Sequence, residues 1–163
     1  MAVTRVFIHG LESSGRGTKG TYFGKRYPSM IIEDYTGPLD ARMNTLREIL
    51  AGREDLIIVG SSYGGLMAAI YACENPHKVK KLILLAPALD IEEFEPYLER
   101  RLDMPVIVYH GSGDDVVPVE PVRAIASKIF SNLVYTIIDD DHPLSNRFAS
   151  LDWPTLLESE EGS

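Results

Sequence analysis

Serine, aspartate and histidine, the side chains of nucleophilic acyl transfer, each follow an apolar segment in this sequence. Ser62 is the centre of the pentapeptide Gly-Ser-Ser-Tyr-Gly, which separates an apolar run at residues 56–59 from a helix-forming segment at residues 66–73. A G-x-S-x-G turn between strand and helix is typical of a nucleophile elbow, in which the serine is strained and the flanking glycines avoid collisions with neighbouring elements. We therefore predict that Ser62 is a nucleophile.

A nucleophilic serine needs a base, and the base needs an acid that orients it. Asp114 lies in His-Gly-Ser-Gly-Asp-Asp-Val-Val-Pro, directly after a predicted strand, and His142 ends the run Asp-Asp-Asp-His after another. The carboxyl ends of parallel strands meet at one edge of a sheet, so these residues are expected to approach Ser62 there. The strand ends therefore offer His142 as the base and Asp114, or the adjacent Asp115, as the acid.

The segment after the first predicted strand, His-Gly-Leu-Glu-Ser-Ser-Gly-Arg-Gly-Thr-Lys-Gly, supports three interpretations. In the first, the backbone N–H of Leu11 joins that of Tyr63 in an oxyanion hole. In the second, Gly-x-Gly-x-x-Gly is a dinucleotide fingerprint with Asp34 as ribose ligand, although its first glycine, Gly15, stands several residues beyond the strand. In the third, the segment starts like a phosphate-binding loop, but it lacks the required Lys-Ser/Thr pair.

Strand and helix patterns alternate along the chain, which predicts an α/β fold. The expected architecture is a three-layer sandwich around a six-stranded, mainly parallel, doubly wound sheet. The predicted strands are residues 3–8, 30–35, 56–59, 81–85, 105–110 and 134–138, and the predicted helices are residues 19–26, 39–51, 66–73 and 120–130, followed by a weakly helical tail.

Length and composition narrow the class of protein. With 163 residues and 45% hydrophobic content, we expect a single domain spanning residues 1–163. A formal net charge of −8 disfavours nucleic acid or an anionic membrane as partner. No signal-peptide or membrane-span pattern is present, so we expect a cytoplasmic protein. The single cysteine, Cys73, is interpreted as buried packing.

Taken together, the motifs HGLESS, GSSYGG, LILLAPAL, HGSGDDVVP and DDDH resemble those of the α/β-hydrolase superfamily, in particular its short bacterial esterases and thioesterases. The resemblance implies a serine hydrolase with triad Ser62, His142 and Asp114, an acyl-enzyme intermediate, a small ester or thioester as substrate, and neither cofactor nor metal. It also implies a minimal fold that lacks the family's first two strands. Because few residues separate Pro87 from Pro105, no sizeable lid is expected, and the pocket should be open and shallow.

Other polar residues have simpler interpretations. His9 and His110 precede glycines and are expected to be structural, and His77 is expected to be exposed. The acidic run at 139–141 could be solvated turn residues or, with His142, a metal cluster, which the lack of a second histidine or cysteine at ligand spacing disfavours. Surface positions are expected for Arg16, Lys19, Glu92, Glu93, Glu95 and Glu99.

Two functions of other classes remain open at this point. One is a non-catalytic binding protein that uses the same fold, since a fold does not dictate a function. The other is a dinucleotide-dependent oxidoreductase, which would use the glycine-rich segment after the first strand. The sequence does not assign an oligomeric state.

Overall fold

A computed structural model describes residues 3–158, and these form a six-stranded parallel sheet with helices on both faces. The predicted domain, residues 1–163, extends at both ends outside this range. The strand order is β2-β1-β3-β4-β5-β6, and each neighbouring pair is parallel. The strands are β1 Thr4–Ile8, β2 Ile31–Ile32, β3 Leu56–Ser61, β4 Val79–Leu85, β5 Val106–Gly111 and β6 Leu133–Ile138, and the α-helices are α1 Thr18–Arg26, α2 Leu39–Ile49, α3 Tyr63–Glu74, α4 Val119–Ile129 and α5 Trp153–Leu156.

Side chains alternate between the two faces of the sheet, so each face carries its own core. One core combines strand residues such as Ile8 and Ile58 with apolar residues of α2, α3 and α4. The other combines strand residues such as Phe7 and Val59 with Phe23 of α1 and with α5. The predicted three-layer α/β architecture is confirmed, and the sheet is parallel throughout the described residues.

Two predicted elements differ from the structure by three residues at one end. The predicted strand at 30–35 shortens to β2, Ile31–Ile32, because the backbone N–H of Tyr35 donates to Nε2 of His9 instead of to a neighbouring strand. Helix α3 begins at Tyr63, three residues before the predicted start, and the Ser62 carbonyl accepts from the amides of Gly65 and Leu66. The two glycines after Tyr63 therefore belong to the first turn of a helix.

The segment between β4 and β5 contains a 3₁₀ helix, Glu92–Tyr97, which lies against α3 and has one buried residue, Phe94. Phe94 is fully buried in the core and stacks on Tyr97 with 5.6 Å between ring centroids. The chain ends in a second 3₁₀ turn, Phe148–Ser150, and α5. None of the helices described has the length and apolar character needed to cross a bilayer.

Candidate active site

Ser62 stands at the carboxyl end of β3 in a backbone conformation that L-residues rarely adopt, with φ 56° and ψ −113°. The glycines on either side allow the turn. A Cβ on Gly60 would collide with the backbone of Gly64 and Gly65, and a Cβ on Gly64 would collide with the carbonyl oxygens of Ile8 and His9. The predicted steric reason for both glycines is therefore confirmed.

The three predicted triad residues meet at this edge of the sheet. Nε2 of His142 lies 3.0 Å from Oγ of Ser62, and Nδ1 of the same ring lies 2.6 Å from Oδ2 of Asp114. The imidazole is partly exposed, with 17% of its side-chain surface accessible, whereas the Asp114 side chain is fully buried. The ring therefore connects a buried carboxylate to a hydroxyl at the surface of the site.

The structure also distinguishes the two neighbouring aspartates. Oδ1 of Asp114 accepts from the amides of Val116 and Val117 at 2.8 and 2.7 Å, while Asp115 is exposed. Burial alone would raise the pKa of Asp114, but the hydrogen bonds from Val117, His142 and Val116 outweigh it and lower that pKa. Asp114 is therefore a carboxylate at neutral pH, in contact with His142.

Asp140 organises the loop that carries His142, and the sequence did not single it out. Its carboxylate is buried and accepts hydrogen bonds from the backbone amides of Asp141, Asn146 and Arg147 and from the Asn146 side chain. The interpretation of this acidic run as solvated turn residues is thus wrong for Asp140. Three consecutive aspartates give no signal of which one turns inward, because that choice depends on amides up to seven residues away.

Contacts between loops fix the position of this segment relative to the acid. The amide of Gly113 donates to the Asp140 carbonyl at 2.9 Å, and a Cβ on Gly111 would be 2.5 Å from the carbonyl oxygens of Asp140 and Asp141. The loop of the acid and the loop of the base therefore pack directly against each other.

Lys19 also contacts the histidine loop, which corrects its predicted role as a surface residue. Its ammonium donates to the carbonyl of Pro143 at 2.7 Å and lies 5.3 Å from the ring centroid of Phe148. Burial lowers the pKa of Lys19, while Asp141 and Asp140 act in the opposite direction. The carbonyl that it holds belongs to the residue directly after His142.

The loop after β1 approaches the nucleophile at Gly10. A Cβ on Gly10 would lie 3.5 Å from Cβ of Ser62 and 3.4 Å from the carbonyl of Ser61, which is ordinary contact. Leu11, the next residue, has an exposed side chain, and Tyr63 begins α3, where a first-turn amide has no intrahelical acceptor. The amides of Leu11 and Tyr63 thus come from the two segments that flank Ser62.

The residues of the predicted dinucleotide fingerprint contact one another in the structure. Asp34, the predicted ribose ligand, accepts a hydrogen bond from the amide of Gly15 at 2.7 Å. A Cβ on Gly20 would collide with the carbonyl of Gly15, so this pair of glycines packs one part of the loop against the start of α1. Asp34 and Gly15 therefore stabilise the loop itself.

The remaining expectations about polar and sulfur side chains concern packing. His9 is buried, and its Nδ1 lies 2.6 Å from the Gly10 carbonyl, while His77 is exposed as predicted. Burial raises the pKa of the Cys73 thiol to about 11, in keeping with its predicted role as packing. Among residues 3–158, no group of three or more histidine, cysteine or acidic side chains has an arrangement that could hold a metal ion.

Comparison with known proteins places this arrangement in a family. A family model described as the alpha/beta hydrolase fold matches residues 10–99, more than half of the chain. No curated protein shows a significant match.

Solved structures with the same fold are numerous. The mouse alpha/beta hydrolase domain-containing protein 10 is 22% identical, with a TM-score of 0.71 over 88% of this chain and 83% of its own. Est1E from Butyrivibrio proteoclasticus bound to ferulic acid is 18% identical, with a TM-score of 0.73 over 95% and 86% of the respective chains. A monoacylglycerol lipase from Paleococcus ferrophilus is 15% identical, with a TM-score of 0.68 and 85% of each chain covered.

Proposed function

We propose that this chain, which belongs to the α/β-hydrolase fold family, is a serine hydrolase that cleaves small carboxylic esters or thioesters. The observation that carries the proposal is the continuous hydrogen-bonded path from Oγ of Ser62 through His142 to the buried carboxylate of Asp114. The strained backbone of Ser62 adds support, because such strain persists only where the surrounding structure enforces it.

In the proposed reaction, His142 accepts a proton and donates it again in each of the two steps. Oγ of Ser62 attacks the acyl carbonyl carbon while Nε2 of His142 takes the hydroxyl proton. The tetrahedral intermediate expels the alcohol or thiol, which leaves with that proton and gives an acyl-Ser62 ester. Water then attacks the acyl-enzyme with His142 as base, the acid is released, and Ser62 regains its proton. Asp114 fixes the tautomer of the ring and stabilises the imidazolium.

The developing oxyanion requires two donors beside Ser62. The amides of Leu11 and Tyr63 are our candidates, because Gly10 lies against Ser62 on one side and α3 starts on the other. A Cβ on Gly10 would lie next to Ser62 at ordinary van der Waals distances, so the space beside the proposed nucleophile has room for additional atoms. We infer that this space is where the substrate carbonyl lies.

The surroundings favour a small, uncharged substrate. Leu11 and Val116 are large apolar side chains with 54% and 66% of their surface exposed; the Leu11 amide is a proposed oxyanion donor, and Val116 lies two residues after the proposed acid. A depression of about 240 Å³ is lined from Leu89 onward, next to Ala88, whose amide donates to the Ser62 carbonyl, and it contains none of Ser62, His142 and Asp114. Its volume is below the usual range for ligand pockets, and three carboxylates, Asp90, Glu92 and Glu95, line it together with apolar residues. Apolar contact is thus available only for short groups, and free carboxylates in a substrate would meet like charge.

Phe94 and Leu89 are buried in the core between β4 and β5, which supports a site without an acyl tunnel there. At about 0.8 kcal/mol per buried methylene, the gain in binding per added carbon should therefore end early. We expect specificity for linear acyl groups to peak at roughly two to six carbons.

The test is a panel of p-nitrophenyl esters and acyl-CoA thioesters of graded chain length, assayed with the wild-type protein and with Ser62→Ala. We expect hydrolysis of short esters or thioesters that Ser62→Ala abolishes. A preference for acyl groups of twelve or more carbons would contradict the short-chain proposal. Absence of hydrolysis across the panel, with unchanged binding of the esters by Ser62→Ala, would instead indicate a binding protein.

A further inference from the structure

A second histidine, His110, lies against the same carboxylate oxygen of the proposed triad acid as His142 does. His110 is fully buried at the end of β5, and its Nε2 lies 3.2 Å from Oδ2 of Asp114 and 3.0 Å from the carbonyl oxygen of Val117. Both neighbours of this nitrogen are hydrogen-bond acceptors. Nε2 must therefore carry a proton and donate it.

The other ring nitrogen fixes the charge of His110. Nδ1 lies 2.6 Å from the hydroxyl of Tyr135 on β6, where it can accept a hydrogen bond. Burial lowers the pKa of His110 and raises that of Tyr135, so the ring is neutral and the phenol keeps its proton. The hydroxyl therefore donates to Nδ1, and the ring donates from Nε2.

The strand register brings the two side chains together. Val108 pairs with Tyr135 and His110 pairs with Ile137, so His110 and Tyr135 lie on the same face of adjacent strands. Helix α4 faces Tyr135 with Arg123, whose guanidinium lies 5.8 Å from the ring centroid, and with Glu120. Near His110 the charged or titratable neighbours are Asp114 and His142.

We propose that His110 is a positioning residue that holds the Asp114 carboxylate toward His142, and that Tyr135 selects the ring tautomer needed for this task. The proposal rests on the proposed hydrolase function. Asp114 accepts three hydrogen bonds, two from loop amides to Oδ1 and one from His142 to Oδ2, and Nε2 of His110 lies 3.2 Å from the same Oδ2. The carboxylate therefore cannot rotate without breaking a bond.

The tautomer matters because the opposite one would be repulsive. If Nδ1 carried the only ring proton, the lone pair of Nε2 would face the oxygens of Asp114 and Val117. The Tyr135 hydroxyl donates to Nδ1 and thus stabilises the form in which Nε2 donates. Removal of that hydroxyl should therefore weaken the support of Asp114 without changing the packing of the ring.

Three variants separate a polar role from packing. His110→Leu fills a similar volume without a donor, and His110→Gln offers an amide donor near the place of Nε2. Tyr135→Phe removes the hydroxyl alone. The matched control is Tyr109→Phe, because Tyr109 precedes His110 on β5 and packs in the core on the opposite face of the sheet.

For each folded variant we would measure kcat, KM and the pH profile of kcat/KM on a short ester. We expect His110→Leu to lower kcat by about ten- to a hundredfold with little change in KM, as loss of a hydrogen bond to a charged group does. The acid limb of its kcat/KM profile should move to lower pH, because a carboxylate that is no longer held toward the ring stabilises the imidazolium less. His110→Gln should restore most of kcat and the limb, and Tyr109→Phe should match the wild type.

Tyr135→Phe keeps the test valid if His110→Leu does not fold. We expect it to lower kcat several-fold alone and to add nothing in the His110→Leu background, as coupled residues do. Equal losses in His110→Gln and His110→Leu, or full activity in Tyr135→Phe, would overturn the proposal.

A readout that does not need turnover separates this proposal from the proposed function. The proton on Nδ1 of His142, observed by NMR, should shift upfield in His110→Leu, because a carboxylate that is no longer held toward the ring makes a weaker hydrogen bond, and it should return in His110→Gln. An unmoved resonance would overturn the role of His110 whether or not the protein hydrolyses esters. If the variants show these shifts but the wild-type protein hydrolyses no ester, only the proposed function is contradicted.

Discussion

The proposed nucleophile and the proposed base of the site are held in place by different forces. Ser62 sits in a turn that is fixed by close backbone packing, with Gly60 against α3 and Gly64 against the carbonyls of β1. His142 lies on a loop fixed by side chains, the buried carboxylate of Asp140 and the ammonium of Lys19. An added side-chain atom at either glycine would therefore collide with backbone. Loss of a hydrogen bond in the loop of His142, in contrast, can make that loop more mobile while the fold remains intact.

The largest expected effect concerns the chemistry of the elbow. Because a triad acts as a unit, Ser62→Ala should lower kcat on the order of 10⁶-fold, and the fold should be preserved. Ser61→Ala and Ser13→Ala should lose far less, since neither hydroxyl contacts His142. Steady-state assays of the three variants with a short p-nitrophenyl ester make the comparison. Activity retained in Ser62→Ala would show that another residue is the nucleophile.

The second-largest expected effect is that of substituting the proposed acid, Asp114. Asp114→Asn should lower kcat by up to about 10⁴-fold, because the amide favours the wrong tautomer of His142. Asp115→Asn should be mild, since Asp115 is exposed and the neighbouring carboxylate occupies the site next to the ring. Parallel kinetics and thermal denaturation of both variants would check this. The opposite ranking would move the acid to Asp115.

A third substitution, at Gly64 in the turn that carries Ser62, should mainly lower the free energy of unfolding. Gly64→Ala would place a Cβ into the carbonyls of Ile8 and His9, so we expect a loss of about 3 kcal/mol or more in the free energy of unfolding. The matched control is Gly24→Ala in α1, where the nearest side-chain atom, on Ile32, is 3.9 Å away. That change should stabilise the protein by about 0.5–1 kcal/mol. Urea denaturation of both variants would test the steric account, which equal stabilities would contradict.

The smallest expected effect belongs to the histidine loop. Asp140→Asn turns one acceptor oxygen into an NH₂ group that faces backbone donors, at a cost of about 1–3 kcal/mol. We expect kcat to fall several-fold with KM unchanged and the amides of Asn146 and Arg147 to exchange hydrogen faster. Asp139→Asn, at an exposed position, is the control. If both variants behave alike, the loop does not depend on the Asp140 carboxylate.

The elements of the fold were predictable because buried parallel strands read as short apolar runs, and such runs occur six times in the sequence. The edge strand β2 was overextended, since its end depends on a hydrogen bond from Tyr35 to His9, 26 residues earlier. The sequence around residues 30–35 does not indicate that Tyr35 donates its amide proton to a distant histidine.

The approach of Ser62, His142 and Asp114 to one another was predictable for a related reason: each follows a strand, and strand ends meet at one edge of the sheet. The supporting residues were not predictable. Lys19 lies 124 residues before the carbonyl that it holds, and His110 reaches Tyr135 across a strand pairing. Their roles follow from the folded geometry, while their residue types alone suggest ordinary surface or structural positions.

The most direct test of the account is to locate a covalent adduct. Wild-type protein and His142→Ala would be treated with a fluorophosphonate, digested, and analysed by tandem mass spectrometry. We predict a single phosphonylated residue, Ser62, in the wild type and almost none in His142→Ala, because only the imidazole activates the hydroxyl. An unlabelled wild-type protein, or a label on Ser61 or Ser13 with Ser62 unmodified, would contradict the claim that Ser62 is an activated nucleophile.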